Sequence, residues 1–230
     1  MRIAGYQDVS LIDFPGVISA VIFTQGCPFR CPYCHNPELI PRTSSHERTS
    51  EEVIGRLRRH RNMIEGVCIT GGEPTIHRDL PDFLRLLRRE GVLIKLDTNG
   101  VNPPMIERII AERLVDYVAM DVKHTWEKYN LIVRSGNIRI GDRCRRTFEI
   151  IQEGGIPHEF RTTVYPGFHT EDDLLRIGAY FQSGERYVLQ PIRYGKTLDP
   201  DLPRFPQLDL ERVRLTIQER RPGVEVAVRE

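Results

Sequence analysis

The chain has 230 residues, 40% hydrophobic and 28% charged, with a net charge of +1. That length and apolar content allow one sizeable core, and the even charge, with no basic tract, predicts no nucleic-acid or membrane partner. No apolar run approaches the roughly 18 residues of a membrane span, and no charged-then-apolar leader opens the chain. The five cysteines form one dense cluster and two singles, Cys68 and Cys144. An odd, clustered count predicts a reduced, cytoplasmic protein with a metal site, not a disulfide framework.

In chain order, Arg2 to Pro15 has no clear period and predicts a short edge strand and a turn. Val17 to Thr24 is apolar and β-branched, a buried strand running directly into Cys27-Pro-Phe-Arg-Cys31-Pro-Tyr-Cys34-His35-Asn36-Pro37. Prolines at 28, 32 and 37 make that stretch a rigid loop. Pro41 to Arg48 is polar and predicts a mobile segment. Thr49 and Glu52 have capping-box spacing and open a helix to His60. Val67 to Thr70 is a short strand ending in Gly71-Gly72-Glu73-Pro74. Asp79 is placed to cap a helix that ends before Gly91. Val92 to Asp97 is a strand ending in Asp97-Thr98-Asn99-Gly100, and Pro103 and Pro104 open a helix to about Arg113. Val115 to Asp121 is strand-like and ends in Asp121-Val122-Lys123-His124. A short helix at Trp126 to Val133 precedes a longer one at Arg143 to Glu153. Phe160 to Val164 is a strand, Thr170 and Asp173 cap a helix to Phe181, and Tyr187 to Pro191 is a strand. A Pro-rich loop covers Arg193 to Gln207, followed by a helix at Leu208 to Arg220 and a strand at Val224 to Val228.

Strand and helix alternate at least five times, the pattern of parallel βα units with strands buried on both faces. The fold expected is α/β: a single open or partial (β/α) barrel spanning 1–230 as one domain, favoured over a flat doubly wound sheet, from which periodicity alone does not separate it. The segment from about 193 is expected as an appended loop, helix and strand.

The polar motifs fall at the C-terminal ends of four successive predicted strands, where the loops of a βα barrel converge on one mouth. Three soft sulfur ligands at C-x3-C-x2-C select zinc, copper(I) or an iron–sulfur cluster. One reading is a structural zinc site using Cys27, Cys31, Cys34 and His35, although adjacent Cys34 and His35 diverge in an extended loop. The other is a 4Fe–4S cluster on the three cysteines alone, with one iron open to a ligand. Gly71 and Gly72 would let backbone approach a ligand closely, and Glu73 could accept from an ammonium; a plain βα turn is the bland alternative. Asp97 and Asn99 suit hydroxyls or a tight turn. Asp121 and Lys123 share a side by strand alternation and suit a zwitterion or an isolated ion pair. Arg161 is a ligand cation or a surface charge. His77, His124 and His169 are read as satisfied polar residues, and Cys68 and Cys144 as buried small hydrophobes.

The cysteine spacing, with Tyr33 before the last cysteine, resembles the signature of radical S-adenosylmethionine enzymes, and Gly71-Gly72-Glu73-Pro74 resembles that superfamily's second motif. The run from Gly26 to Asn36 is most similar to glycyl-radical-enzyme activases. Asp13-Phe14-Pro15-Gly16 and the Gln190-Pro191 to Pro200 segment look most like the activating protein of anaerobic ribonucleoside-triphosphate reductase. The resemblance implies a single partial (β/α)6 barrel and a cytoplasmic enzyme that reductively cleaves S-adenosylmethionine and places a radical on a glycine of a partner, with flavodoxin or ferredoxin as electron donor. It implies Cys27, Cys31 and Cys34 as cluster ligands. Tyr33, Cys34, His35, Gly71, Gly72, Glu73, Asp97, Asp121, Val122, Lys123, His124 and Arg161 would surround S-adenosylmethionine. The adenine-side histidine of pyruvate formate-lyase activases has no counterpart, and Gln190 stands in its place. Alternatives are a pyruvate formate-lyase-type activase, a radical enzyme acting on a small molecule or RNA, and a zinc-binding interaction module.

Overall fold

In a computed structural model, which describes residues 1–43 and 47–229, eight strands form one sheet in chain order. Strand β1 (Ile3–Ser10) is antiparallel to β2 (Ser19–Thr24) and closes one edge. From β2 onward every pairing is parallel, through β3 (Gly66–Gly71), β4 (Leu93–Thr98), β5 (Tyr117–Asp121), β6 (His158–Val164), β7 (Arg186–Pro191) and β8 (Glu225–Val228).

Helices α1 (Ser50–Arg59), α2 (Leu80–Arg89) and α3 (Pro103–Ala111) follow β2, β3 and β4. After β5 come the short α4 (Tyr129–Val133) and the long α5 (Ile140–Glu153), then α6 (Glu171–Gly178) and α7 (Leu210–Arg220) after β6 and β7. That gives six β/α units, the partial barrel expected from the alternation. The helix of the last unit, α7, and strand β8 come from the segment after 193, so this segment extends the same sheet.

Local chemistry explains most boundaries. Thr49 and Glu52, and Thr170 and Asp173, form reciprocal capping boxes that satisfy the first free N–H groups of α1 and α6. Gly91 takes φ +70° just past α2, where a Cβ would be strained. Asp79 precedes α2 but makes no side-chain cap, because its carboxylate is drawn to the N-terminal ammonium of Met1. Of the polar stretch from Pro41 to Arg48, positions 44–46 lie outside the described residues. Arg48 N–H donates to Ile3 O at 2.8 Å.

The core lies between strands and helices. Phe148, Phe160, Phe181 and Tyr187 form a continuous ring cluster beneath α5 and α6, with centroids 4.3 Å apart for Phe148–Phe160 and for Phe181–Tyr187. Burying each such ring contributes roughly 1.5–3 kcal/mol. None of the described helices is long and apolar enough to cross a membrane. Because β2 to β7 are parallel, their C-terminal ends all face the same side and bring the loops after them together.

Candidate active site

The cysteine loop leaves β2 at Thr24 and is held almost wholly by main-chain bonds. Gly26 takes φ +99° and its N–H donates to Leu39 O (2.7 Å), while Cys27 N–H donates to Ile40 O (3.1 Å). Arg30 folds back so that one guanidinium nitrogen donates to both Cys27 O and Phe29 O. Phe29, Cys31 and Tyr33 are buried, and Cys27 and Cys34 are half-buried. Burial pushes the Cys27 thiol up to about 12 and the Cys31 thiol up to about 11; the Lys123 charge opposes this at both.

Gly71 and Gly72 are needed for a close approach between backbones. A Cβ on Gly72 would sit 2.3 Å from Gly26 O, and one on Gly71 would sit 2.4 Å from Thr24 N. Gly72 N–H donates to Thr24 O (2.9 Å) and Glu73 N–H to Gly26 O (2.8 Å), locking the loop after β3 under the cysteine loop. Glu73 is fully buried, and its carboxylate accepts from Thr75 N–H, Thr75 Oγ1, Thr98 Oγ1 and Asn99 N–H. Burial pushes this carboxyl up; the four donors pull it back toward the charged form. It ties the loop after β3 to the loop after β4. From there the Asn99 side-chain amide reaches Cys27 Sγ at 3.6 Å.

Across the mouth, charges from β4, β5 and β6 form one network. Arg161 donates to Asp121 (3.0 Å) and to Asp97 (3.2 Å), Lys123 lies 3.3 Å from Asp121, and the buried Lys95 donates to Asp97. Burial alone would raise both carboxyls, but Arg161 with Lys123 holds Asp121 down at about 2, and Arg161 with Lys95 lowers Asp97. Asp121 in turn raises Lys123 despite burial. Three cations thus face these two carboxylates, and the buried Glu159 lies 3.9 Å from Arg161 as a third.

These groups surround a cavity of about 200 Å³. Of the expected site residues, Cys27, Cys31, Tyr33, Cys34, His35, Gly71, Gly72, Glu73, Asp97, Asp121, Lys123 and Arg161 line it. Val122 and His124 do not. Alternation at the end of β5 turns Val122 into the core, and His124 stacks on His169 (centroids 5.0 Å) with its Nε2 against Phe168 O. Thr163, two residues beyond Arg161, also lines the cavity; the period of a strand points to it. Gln190 lines an adjoining hollow that shares His35, Arg161 and Thr163.

The Pro-rich segment after β7 adds contacts that no motif announced. Leu198 N–H donates to Cys34 O (3.0 Å), Asp199 N–H to Pro32 O (2.9 Å), and His35 Nε2 lies 2.9 Å from Arg193 O. A ring nitrogen facing a carbonyl carries the proton, so His35 Nε2 is engaged as a donor and not as a ligand. Among the described residues, no three His, Cys, Asp or Glu side chains converge closely enough to hold a single ion. Three soft thiol donors beside one cavity, with an amide N–H on Cys27 and no carboxylate among them, suit a thiolate-held iron–sulfur cluster better than a mononuclear zinc. Cys68 and Cys144 stand apart: Cys68 beside Lys95 at 3.8 Å, Cys144 donating to Asn99 O.

A family model described as the Radical SAM superfamily matches residues 21–198. A protein of Methanocaldococcus jannaschii named for glycyl-radical enzyme activation is 32% identical over 209 residues, covering 89% of this chain and 85% of that one. The pyruvate formate-lyase-activating enzyme of Clostridium pasteurianum is 35% identical over 128 residues, covering 54% and 52%. The crystal structure of Streptococcus suis SuiB bound to S-adenosylmethionine superposes with a TM-score of 0.71 at 15% identity, covering 91% of this chain and 50% of that one, a likeness of fold.

Proposed function

This chain belongs to the radical SAM superfamily, and from that premise we propose that it activates a glycyl radical enzyme, with anaerobic ribonucleoside-triphosphate reductase as the partner. The enzyme uses a 4Fe–4S cluster and S-adenosylmethionine. Cys27, Cys31 and Cys34 would hold the cluster as thiolates, which means that binding it displaces the protons that burial retains on Cys27 and Cys31. The cluster, once bound, supplies the electron for reductive cleavage of the sulfonium, leaving methionine and a 5′-deoxyadenosyl radical able to abstract hydrogen from a glycine Cα.

What this chain's residues do is bind, orient and exclude water. Lys123 and Arg161 are suited to receive a ligand's carboxylate, while Asp97 and Asp121 stay ionised and suit an ammonium or hydroxyls. Glu73 and the two glycines hold three loops at fixed separation, so the reacting groups meet in one geometry. No residue needs to act as a general base, and among the described residues no histidine–carboxylate ion pair lines the cavity.

The observation that carries this reading is that a C-x3-C-x2-C loop and a zwitterion-sized network of opposite charges line the same 200 Å³ cavity. The reductase is preferred to pyruvate formate-lyase because the Asp13–Gly16 and Gln190–Pro200 segments favour it. The test is anaerobic reconstitution, S-adenosylmethionine and reductant, then electron paramagnetic resonance after adding each candidate partner. A glycyl radical on the reductase and not on the lyase is expected; the reverse assigns the lyase. Cys31→Ala should lose cluster iron, and Cys68→Ala and Cys144→Ala should retain it; the opposite pattern removes the ligand assignment.

A further inference from the structure

Each cleavage consumes one electron, and among the described residues Cys68 and Cys144 are isolated and buried, so no second cluster of thiols is available to store it. The electron has to come from outside, close to the cysteine loop. The mouth of the cavity is reserved for cofactor and substrate, which leaves the loop's outer side.

That side has an unusual charge distribution. Arg30, exposed within the cysteine loop, donates its N–H to Val133 O (2.8 Å), the last residue of α4. Arg134 follows at φ +45°, and the turn to Arg139 is exposed, with Ile138 91% accessible and Leu131 63%. Arg143 donates to Val101 O; Val101 N–H donates to Asn99 Oδ1, and Asn99 touches Cys27 Sγ. Two residues therefore separate a surface guanidinium from a candidate cluster sulfur.

From Tyr129 to Phe148 the chain carries five arginines and one acid, Asp142. Arg145 and Arg146 pair with Glu149. Among the described residues, Arg30, Arg134, Arg139 and Arg143 have no carboxylate in ion-pair range. Some surface arginines elsewhere are paired, as in Arg58–Glu90, Arg108–Glu112 and Arg212–Glu171, and others are not; what marks this stretch is its local excess of arginine over acid beside the cysteine loop. Unpaired cations in the same short stretch as two exposed apolar side chains are complementary to a partner with an acidic face and an apolar spot.

We propose that the face formed by Arg30, Leu131, Arg134, Ile138, Arg139 and Arg143 docks an acidic one-electron carrier protein, delivering the electron through the cysteine loop. This rests on the activase reading for the carrier's role, but the docking itself can be measured without turnover. Interfaces of electron carriers are small and transient, so charge sets the encounter rate.

The test uses the reconstituted holoenzyme and an acidic flavodoxin. Arg134→Glu/Arg139→Glu is the variant: both side chains lie outside the cysteine loop, and a glutamate at the head of α5 suits the helix dipole. Arg59→Glu/Arg89→Glu, two exposed positions at the opposite end of the barrel, makes the same change in net charge and is the control. Affinity measured by titration at low salt should fall more than about tenfold in the double variant and change little in the control. Flavodoxin-driven cleavage should fall with it, while dithionite-driven cleavage stays unchanged. Equal affinity for both proteins, an equal loss in the control, or single-stranded RNA binding this face as tightly as flavodoxin would each overturn the proposal. An unaltered holoenzyme that fails to cleave even with dithionite would instead count against the activase reading, with the titration still deciding the docking face.

Discussion

The side-chain amide of Asn99 points at Cys27 Sγ from 3.6 Å, joining the loop after β4 to the first cysteine of the loop after β2. An N–H aimed at a cluster sulfur stabilises the more electron-rich, reduced state. A hydrogen bond worth on the order of 1 kcal/mol corresponds to about 40 mV for a one-electron couple. Asn99→Ala should therefore lower the cluster's reduction potential by about that amount at unchanged iron content, as read by redox titration. An unshifted potential would show that the contact carries no energy.

Gly72 tests whether close backbone approach, and not ligand access, explains the glycine pair. Its added methyl would meet carbonyl oxygens of Gly26 and Leu39, neither of which can swing aside. Gly72→Ala should cost about 2–3 kcal/mol in denaturant unfolding and reduce the iron retained after reconstitution. Gly195→Ala, where nothing lies within 4 Å, should do neither.

Arg161 neutralises the partly exposed Asp97 and Asp121 at once and lies 3.9 Å from the buried Glu159. Replacing it with methionine leaves Asp97 and Asp121 short of a partner, which should destabilise the protein by about 3–5 kcal/mol. Asp97→Asn in the same chain should recover part of that loss. It should not recover S-adenosylmethionine affinity, measured by calorimetry, if the guanidinium also receives the ligand's carboxylate.

His169 gives the fold an acid-sensitive joint. Its Nε2–H donates to Lys123 O, its Nδ1 accepts from Tyr165 N–H, and burial lowers its pKa to about 4 from an ordinary 6.5. On acidification the unfolded chain takes up the proton first. Stability from this group is therefore intact above about pH 6.5 and falls toward pH 4, by on the order of 2 kcal/mol at pH 5. His124, lowered by burial too, adds to the same trend. His169→Gln should be less stable at pH 7 and show a shallower fall in melting temperature between pH 7 and 5.

The strand and helix order was legible because each strand is a short apolar run and each loop after it has its own polar signature. Twelve of the expected site residues line the cavity for the same reason. Val122 and His124 lie off the cavity wall because alternation at the end of β5 sends every second side chain of a contiguous motif to the other face. The cap expected of Asp79 was lost to an amino terminus that is distant in sequence. Neither the reason for Gly72 nor the contacts of Leu198 and Asp199 could be read in advance. Both depend on main-chain atoms meeting across the fold, and such atoms have no signature in residue type.

Those contacts of Leu198 and Asp199 bear on the order in which the molecule can be made. Each strand from β2 to β8 pairs with the one just before it, so the sheet can grow in step with synthesis. The cysteine loop emerges early but receives its last two backbone donors from a segment after β7. A nascent chain thus holds its cysteines in a partly fastened loop until synthesis is nearly finished, and metal delivered before then would meet a site that has not yet closed.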